Sequence, residues 1–144
     1  MSTTTIREIL GDRPLLSVGP ETTLRDAAKK MSKNNVGAVA VTDDGRLAGI
    51  LTERDIVFRC VGCGLSVDEM TTAEVMTRDP VSVGIDDAIS DALAKRIGGP
   101  FRHLPVVEHG KVVGVLSYRD MPAEYVMLFE RFREMSSARA DGGE

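Results

Sequence analysis

Leu24, Ala27, Ala28 and Met31 recur at spacings of three and four, so the pattern predicts a one-faced helix over residues 21–33. Ahead of it, Leu15 to Val18 predicts a short strand. Behind it, Gly37-Ala38-Val39-Ala40-Val41 is apolar throughout and short enough to be a buried strand. Asp43-Asp44-Gly45-Arg46 then offers a turn, with a glycine where φ can be positive. A further strand leads into Gly49, and a second helix opens at Thr52. The order is β-α-β-β-α.

The same order then begins again. With an offset of 65 residues, Gly49-Ile50-Leu51-Thr52-Glu53-Arg54-Asp55 falls on Gly114-Val115-Leu116-Ser117-Tyr118-Arg119-Asp120. The register runs back without a gap to Ser17 over Ser82. It carries identities at Ser17, Val18, Gly19, Asp26, Ala27, Lys30, Val41, Gly45, Gly49, Leu51, Arg54 and Asp55. Upstream, a one-residue gap moves the offset to 66 and sets Glu8-Ile9-Leu10 on Glu74-Val75-Met76 and Pro14 on Pro80. The second copy therefore predicts a strand over 81–83, a helix over 86–97, the strand His103-Leu104-Pro105-Val106-Val107 and the turn Glu108-His109-Gly110-Lys111. Thr22 or Thr23 is expected to cap the first helix, and Asp86 or Asp87 its counterpart. Self-similarity that preserves hydrophobic pattern predicts two like halves, and the length fits one compact domain or two very small, mutually dependent ones.

Composition narrows the function. The chain has 144 residues, with 42% hydrophobic, 4% aromatic and no Trp, so Val, Ile, Leu, Ala and Met must build the core. A formal net charge of -4 argues against general nucleic-acid or anionic-membrane binding, which need basic surfaces. No apolar run approaches the roughly 18–20 residues that span a bilayer. Met1 to Thr5 shows neither an apolar stretch nor a basic start, so no signal peptide and a cytoplasmic location are expected, with the two cysteines reduced. Residues 62–72 read as a linker and 136–144, small and polar, as a disordered tail.

Candidate chemistry is sparse. The sequence shows no nucleophile–base pair, paired catalytic acids, phosphate-binding loop or metal cluster, and no enzyme is expected. Thr52 and Asp55, like Ser117 and Asp120, are spaced as a capping box, in which hydroxyl and acid each satisfy a backbone N–H. A carboxylate held at a strand-to-helix junction also suits both hydroxyls of a ribose, and the hydroxyl with nearby amides suits a phosphate or ribose oxygen. Cys60-Val61-Gly62-Cys63 is a CxxC, but a structural zinc site needs about four ligands and no second CxxC exists. It is read as incidental, with redox or metal response as the alternative.

Two β-α-β-β-α repeats, each closing with Gly-hydrophobic-hydrophobic-Thr/Ser-x-x-Asp, resemble a tandem CBS domain pair, also called a Bateman module. Glu-Val-Met-Thr-Arg-Asp-Pro-Val-Ser-Val at 74–83 and Arg102-His103-Leu104-Pro105-Val106-Val107 resemble the start and second strand of such a repeat. The resemblance implies an α/β fold of the α+β kind with pseudo-two-fold symmetry. Repeat 1 would span 6–61, repeat 2 73–125, and a C-terminal helix extension 126–135. It also implies a stand-alone regulatory module for AMP, ADP, ATP, NAD or S-adenosylmethionine, with no required cofactor and an unspecified regulated protein as partner. A ligand-free dimerisation module is the alternative.

The resemblance further implies that each cleft is built from both repeats. Thr52 and Asp55 would share one with Pro80, Val81, Arg102, His103 and Leu104. Ser117 and Asp120 would share the other with Pro14, Leu15, Gly37 and Ala38. Arg102 and His103 can pair with phosphate oxygens, so the Asp55 cleft is expected to prefer a phosphorylated ligand. The Asp120 cleft would then be weak, empty or suited to a less charged adenosyl ligand. Met121, Tyr125, Leu128, Phe129, Phe132 and Met135 form an apolar stripe that needs a partner, whether its own domain or a second chain. The resemblance to CBS pairs, which commonly assemble two modules through these helices, implies a homodimer contact.

Overall fold

The computed structural model describes residues 4–94, 103–117, 120, 127 and 131. Arg102 and the apolar stripe from Met121 to Met135 lie outside the described residues, as does most of the expected C-terminal extension.

Four strands form the first sheet: β1 (Ser17–Val18), β2 (Ala38–Asp43), β3 (Arg46–Thr52) and β4 (Thr77–Arg78), in that order. Three form the second: β5 (Val83–Gly84), β6 (His103–Glu108) and β7 (Lys111–Ser117). In each sheet a short strand runs parallel to the first arm of an antiparallel hairpin. The hairpins match in detail. Asp44 and Gly45 both take positive φ, as do His109 and Gly110, which gives two-residue turns whose twist suits the flanking strands. Register shifts fall between Val41 and Thr42 and between Val106 and Val107, at equivalent positions of the two copies.

Helix α2 (Leu24–Asn34) buries Leu24, Ala27 and Met31, three of the four positions on the predicted face. Thr23 is its cap, accepting from the Asp26 N–H, and Asn35 ends it in the left-handed region at φ 53. The corresponding helix α5 (Ile89–Ala94) departs from expectation at its start. Residue 88 is an alanine. Asp87 instead accepts from the Gly84 N–H at 2.7 Å, and Asp86 pairs with Arg7.

The sequence reading had no helix at either of two short segments. Helix α1 (Ile6–Leu10) opens repeat 1, and α4 (Thr72–Val75) opens repeat 2. Each packs on the other copy. Ile6 and Leu10 join the core of the second sheet, with Ile89, Leu104, Val106 and Leu116. Val75 and Met76 join the core of the first, with Leu24, Val39, Val41 and Leu51. The backbone repeats this exchange. Ile6 and Arg7 donate to the carbonyls of Asp87 and Ile85, and Thr72 and Ala73 donate to those of Thr22 and Pro20. Both halves thus depend on a segment that sequence would assign to the neighbour. The expected linker takes part, because Leu24 and Arg25 donate to Met70 and Val67.

Glycine makes the exchange sterically feasible. A Cβ on Gly49 would lie 2.6 Å from the Thr77 carbonyl oxygen and 2.7 Å from Met76 Sδ. A Cβ on Gly114 would lie 2.8 Å from both methyls of Leu10. These are the two glycines that open the repeated Gly-hydrophobic-hydrophobic motif, and their role is to seat the incoming residue. Gly49→Ala is expected to cost about 3 kcal/mol in urea unfolding, because its obstacle is backbone, and Gly114→Ala about 1–2 kcal/mol, because Leu10 can rotate. Equal and negligible losses would contradict this account of the seats.

Surface ion pairs brace the same junctions. Arg7 bonds Asp86 and Glu108, and Arg25 bonds Asp68 in the inter-repeat segment. Hydrogen bonds from these guanidinium groups hold the Asp68 and Asp86 carboxyls below their ordinary value. A depressed folded-state value stabilises the fold above the unfolded carboxylate value near ~3.9 and is lost as pH falls through the folded one. The urea midpoint should therefore fall as pH drops below about 4, and fall less steeply in the Asp68→Asn/Asp86→Asn double variant. Because both carboxylates are exposed, the difference should shrink in high salt. An unchanged slope in the variant would show that these pairs carry none of the acid sensitivity.

Candidate functional site

Strand register brings the candidate residues together. Ala38 pairs with Thr52 at the end of the first hairpin, and His103 pairs with Ser117 at the end of the second. Strand β7 packs against β2 and β3, so these two ends meet between the repeats. A cavity of about 1070 Å³ opens there. Its walls include Pro14, Gly37 and Ala38 from repeat 1 and His103, Ser117 and Asp120 from repeat 2.

Asp120 is tied to its own turn. Its Oδ2 accepts from the Ser117 N–H at 2.8 Å and from the Ser117 hydroxyl at 3.2 Å. Its Oδ1 accepts from Arg13 Nη1 at 2.8 Å. Arg13 also lines the cavity, and the sequence reading did not single it out. Arg13 is anchored independently, since Nε donates to the Leu10 carbonyl and Nη2 to that of Ile9, both at 3.2 Å. These are C-terminal carbonyls of α1, which lack partners within so short a helix. One wall thus carries a carboxylate and a fixed guanidinium side by side.

The opposite wall is formed by the start of α3 (Glu53–Arg59), whose Glu53 also lines the cavity. A Cβ on Gly37 would come within 3.1 Å of Glu53 Oε1 and 3.6 Å of His103 Nε2, so both side chains converge on that glycine. Gly37 leaves room that any larger residue would fill.

The expected composition of the clefts changes in three places. His103, expected beside Asp55, lines the cavity of Asp120, because β6 begins directly opposite the end of β7. Leu16 rather than Leu15 reaches the cavity wall. Leu104 points into the second core and is 2% exposed, as the alternation of a strand requires for the residue after His103. Thr52, Asp55, Pro80 and Val81 do not line the cavity, and Val81 is exposed.

Asp55 has different surroundings. With Thr52 it forms a complete capping box, Asp55 N–H donating to the Thr52 hydroxyl and Thr52 N–H to Asp55 Oδ2, both at 3.1 Å. The Thr77 hydroxyl lies 3.3 and 3.4 Å from its two carboxylate oxygens. Arg59 Nε stands 3.8 Å from Oδ1, and Arg59 Nη1 donates to the carbonyls of Val75 and Met76. Those carbonyls are the repeat equivalents of Ile9 and Leu10. Each aspartate is therefore matched by an arginine that caps the exchanged helix, but the arginine comes from α3 in one half and from the loop after α1 in the other. Sequence alignment cannot pair Arg13 with Arg59, because they occupy unrelated positions of the repeat.

A sequence model of the CBS domain matches residues 6–62 and 73–122. The chain belongs to the CBS domain family. It is 37% identical over 126 residues to the CBS domain-containing protein CBSCBSPB2 of Arabidopsis thaliana, covering 87% of this chain and 24% of that protein. The chain thus spans about a quarter of the length of that plant relative. It is 33% identical over 105 residues to the CBS domain-containing protein YhcV of Bacillus subtilis, covering 73% of this chain and 74% of that one. Among solved structures it is similar to the CBS domain protein PAE2072 of Pyrobaculum aerophilum complexed with AMP. That match has a TM-score of 0.78 and 28% identity over 89% of this chain and 99% of the other.

The CxxC of this CBS pair is split by its surroundings. Cys60 is buried with Sγ toward the Leu65 carbonyl, and exposed Cys63 points its Sγ toward that of Phe58. Among the described residues, no group of three or more His, Cys, Asp or Glu is placed to hold a metal ion, and no helix is long and apolar enough to cross a membrane.

Proposed function

We propose that this CBS pair is a regulatory module that binds an adenosine nucleotide in the cleft between its repeats and does no chemistry on it. The observation that carries this reading is the inter-repeat cavity of about 1070 Å³ with Asp120 and Ser117 on one wall and Gly37 and Ala38 on the other. That size accommodates a nucleotide, since small-molecule sites span about 300–1,000 Å³. The Asp120 carboxylate accepts the ribose 2′- and 3′-hydroxyls, using lone pairs left over from Ser117 and Arg13. Apolar Leu16 and Ala38 offer flat contact to the base, and Arg13 with His103 offers donors to phosphate oxygens. The AMP complex of the Pyrobaculum relative supports the choice of ligand class.

Binding between repeats gives regulation its physical route. A ligand that contacts both halves stabilises the arrangement in which they meet, and so biases any partner that distinguishes that arrangement. Self-association goes with the same reading. Phe58 stands 60% exposed on α3 with the Arg54 guanidinium 4.5 Å from its ring centre, a surface for a second copy beside the cavity that Val57 lines.

Thermal unfolding with AMP, ADP, ATP, NAD and S-adenosylmethionine tests the proposal. At a hundredfold excess over Kd, a ligand of the native state adds about 2.7 kcal/mol and raises the midpoint by several degrees. At least one of these ligands should do so, and Asp120→Asn should abolish most of the rise. No shift with any of them would leave a ligand-free dimerisation module, and turnover of a bound nucleotide would mark an enzyme.

A further inference from the structure

The two aspartates share a sequence motif but not an environment. We propose that Asp55 is a structural joint, closed to ligand, and that each chain takes a single adenosine nucleotide, at Asp120. The stoichiometry rests on the nucleotide-binding reading above; the joint does not.

The joint follows from what surrounds the Asp55 carboxylate. Its side chain is 10% exposed, against 20% for Asp120. One oxygen accepts the Thr52 N–H, and the Thr77 hydroxyl bridges both. Thr77 opens β4, the strand that the second repeat contributes to the sheet of the first. Arg59 approaches from the next turn of α3 and reaches on to the carbonyls that end α4. Asp55 therefore connects three things: the N-terminus of α3, the start of β4 and, through Arg59, the end of α4. All of these belong to the exchange that holds the halves together. A ribose at Asp55 would compete with the Thr77 hydroxyl, which stands against both carboxylate oxygens from a strand whose backbone pairs with Ile50.

Asp120 is built for the opposite purpose. At the repeat position equivalent to Thr77 stands Gly11, which has no hydroxyl to offer. Among the described residues, the donor that reaches Asp120 from outside its own turn is Arg13, which is held by two carbonyls of its own. Arg13 can keep its place when hydroxyls arrive, and it keeps two N–H groups beyond those three bonds. Open space lies alongside. This differs from the expectation from sequence, in which Arg102 and His103 made the Asp55 cleft the phosphate-binding one; Arg102 lies outside the described residues.

Titration calorimetry with AMP and ligand-free thermal unfolding, on wild type, Asp55→Asn, Thr77→Val and Asp120→Asn, tests both parts. Wild type should bind one AMP per chain. Asp55→Asn should bind AMP within threefold of wild type while its ligand-free midpoint falls by roughly 4–8 °C, from loss of a buried hydrogen-bonded carboxylate. Thr77→Val, which keeps the shape and removes the hydroxyl, should give a smaller fall in the same direction. The Asp55→Asn/Thr77→Val pair should fall by less than the sum, because both remove one interaction. Asp120→Asn should weaken AMP at least tenfold. Two AMP per chain, or tenfold weaker binding in Asp55→Asn with Asp120→Asn unaffected, would overturn the single site. Unchanged ligand-free midpoints in Asp55→Asn and Thr77→Val would overturn the joint. If wild type binds no AMP, ADP or ATP, the nucleotide reading fails and the stoichiometry with it, while the joint is still decided by the ligand-free midpoints.

Discussion

The structure depends on one exchange: the short helix that opens each repeat is buried in the core of the other. Ile6 and Leu10 complete the second core, and Val75 and Met76 complete the first. Burying a residue of this size stabilises by about 1.5–3 kcal/mol, and four such residues cross between halves. Neither half has a full core alone. The exchange also explains a feature of the repeat that chemistry does not. Gly49 and Gly114 are glycines because Met76 with Thr77, and Leu10, come too close to admit a side chain.

The site follows from the same exchange. Capping the ends of α1 and α4 requires donors, because the last carbonyls of a helix have no partner within it. Two arginines supply them, Arg13 and Arg59. Each thereby stands beside the aspartate of one repeated motif, Arg13 beside Asp120 and Arg59 beside Asp55. Where the arginine is joined by the Thr77 hydroxyl, the carboxylate is enclosed; where glycine stands instead, it opens on a cavity. Among the described residues the two copies correspond in their hairpin turns, their register shifts and the paired bridges of Thr5 with Ala88 and of Thr71 with Thr23, while the β3–β4 pairing is found in the first sheet. The difference between the surroundings of Asp55 and Asp120 comes from single side chains set on that frame.

Much of this was legible in the sequence. The period of α2, the alternation and turns of both hairpins and the repeat offset of 65 residues all follow from local pattern, and the structure has them. The capping box of Thr52 and Asp55 was legible too, because it is a local device within three residues. The exchange was not. Helices of five and four residues are too short to show a helical period, and their partners lie on the far repeat. Arg13 and Thr77 escaped for a related reason. Their bonds to Asp120 and Asp55 cross 107 and 22 residues, and a long-range contact leaves no spacing to read. His103 was noted as a candidate, but only the opposed register of β6 and β7 fixes which aspartate it joins.

The most direct test of the account is a crystal structure of the chain grown with AMP. The account predicts one nucleotide, seated between the repeats, with its ribose hydroxyls on the Asp120 carboxylate and the Thr77 hydroxyl still on Asp55. A nucleotide bound at Asp55 with Thr77 displaced, or one held outside the space between Gly37 and Ser117, would contradict it.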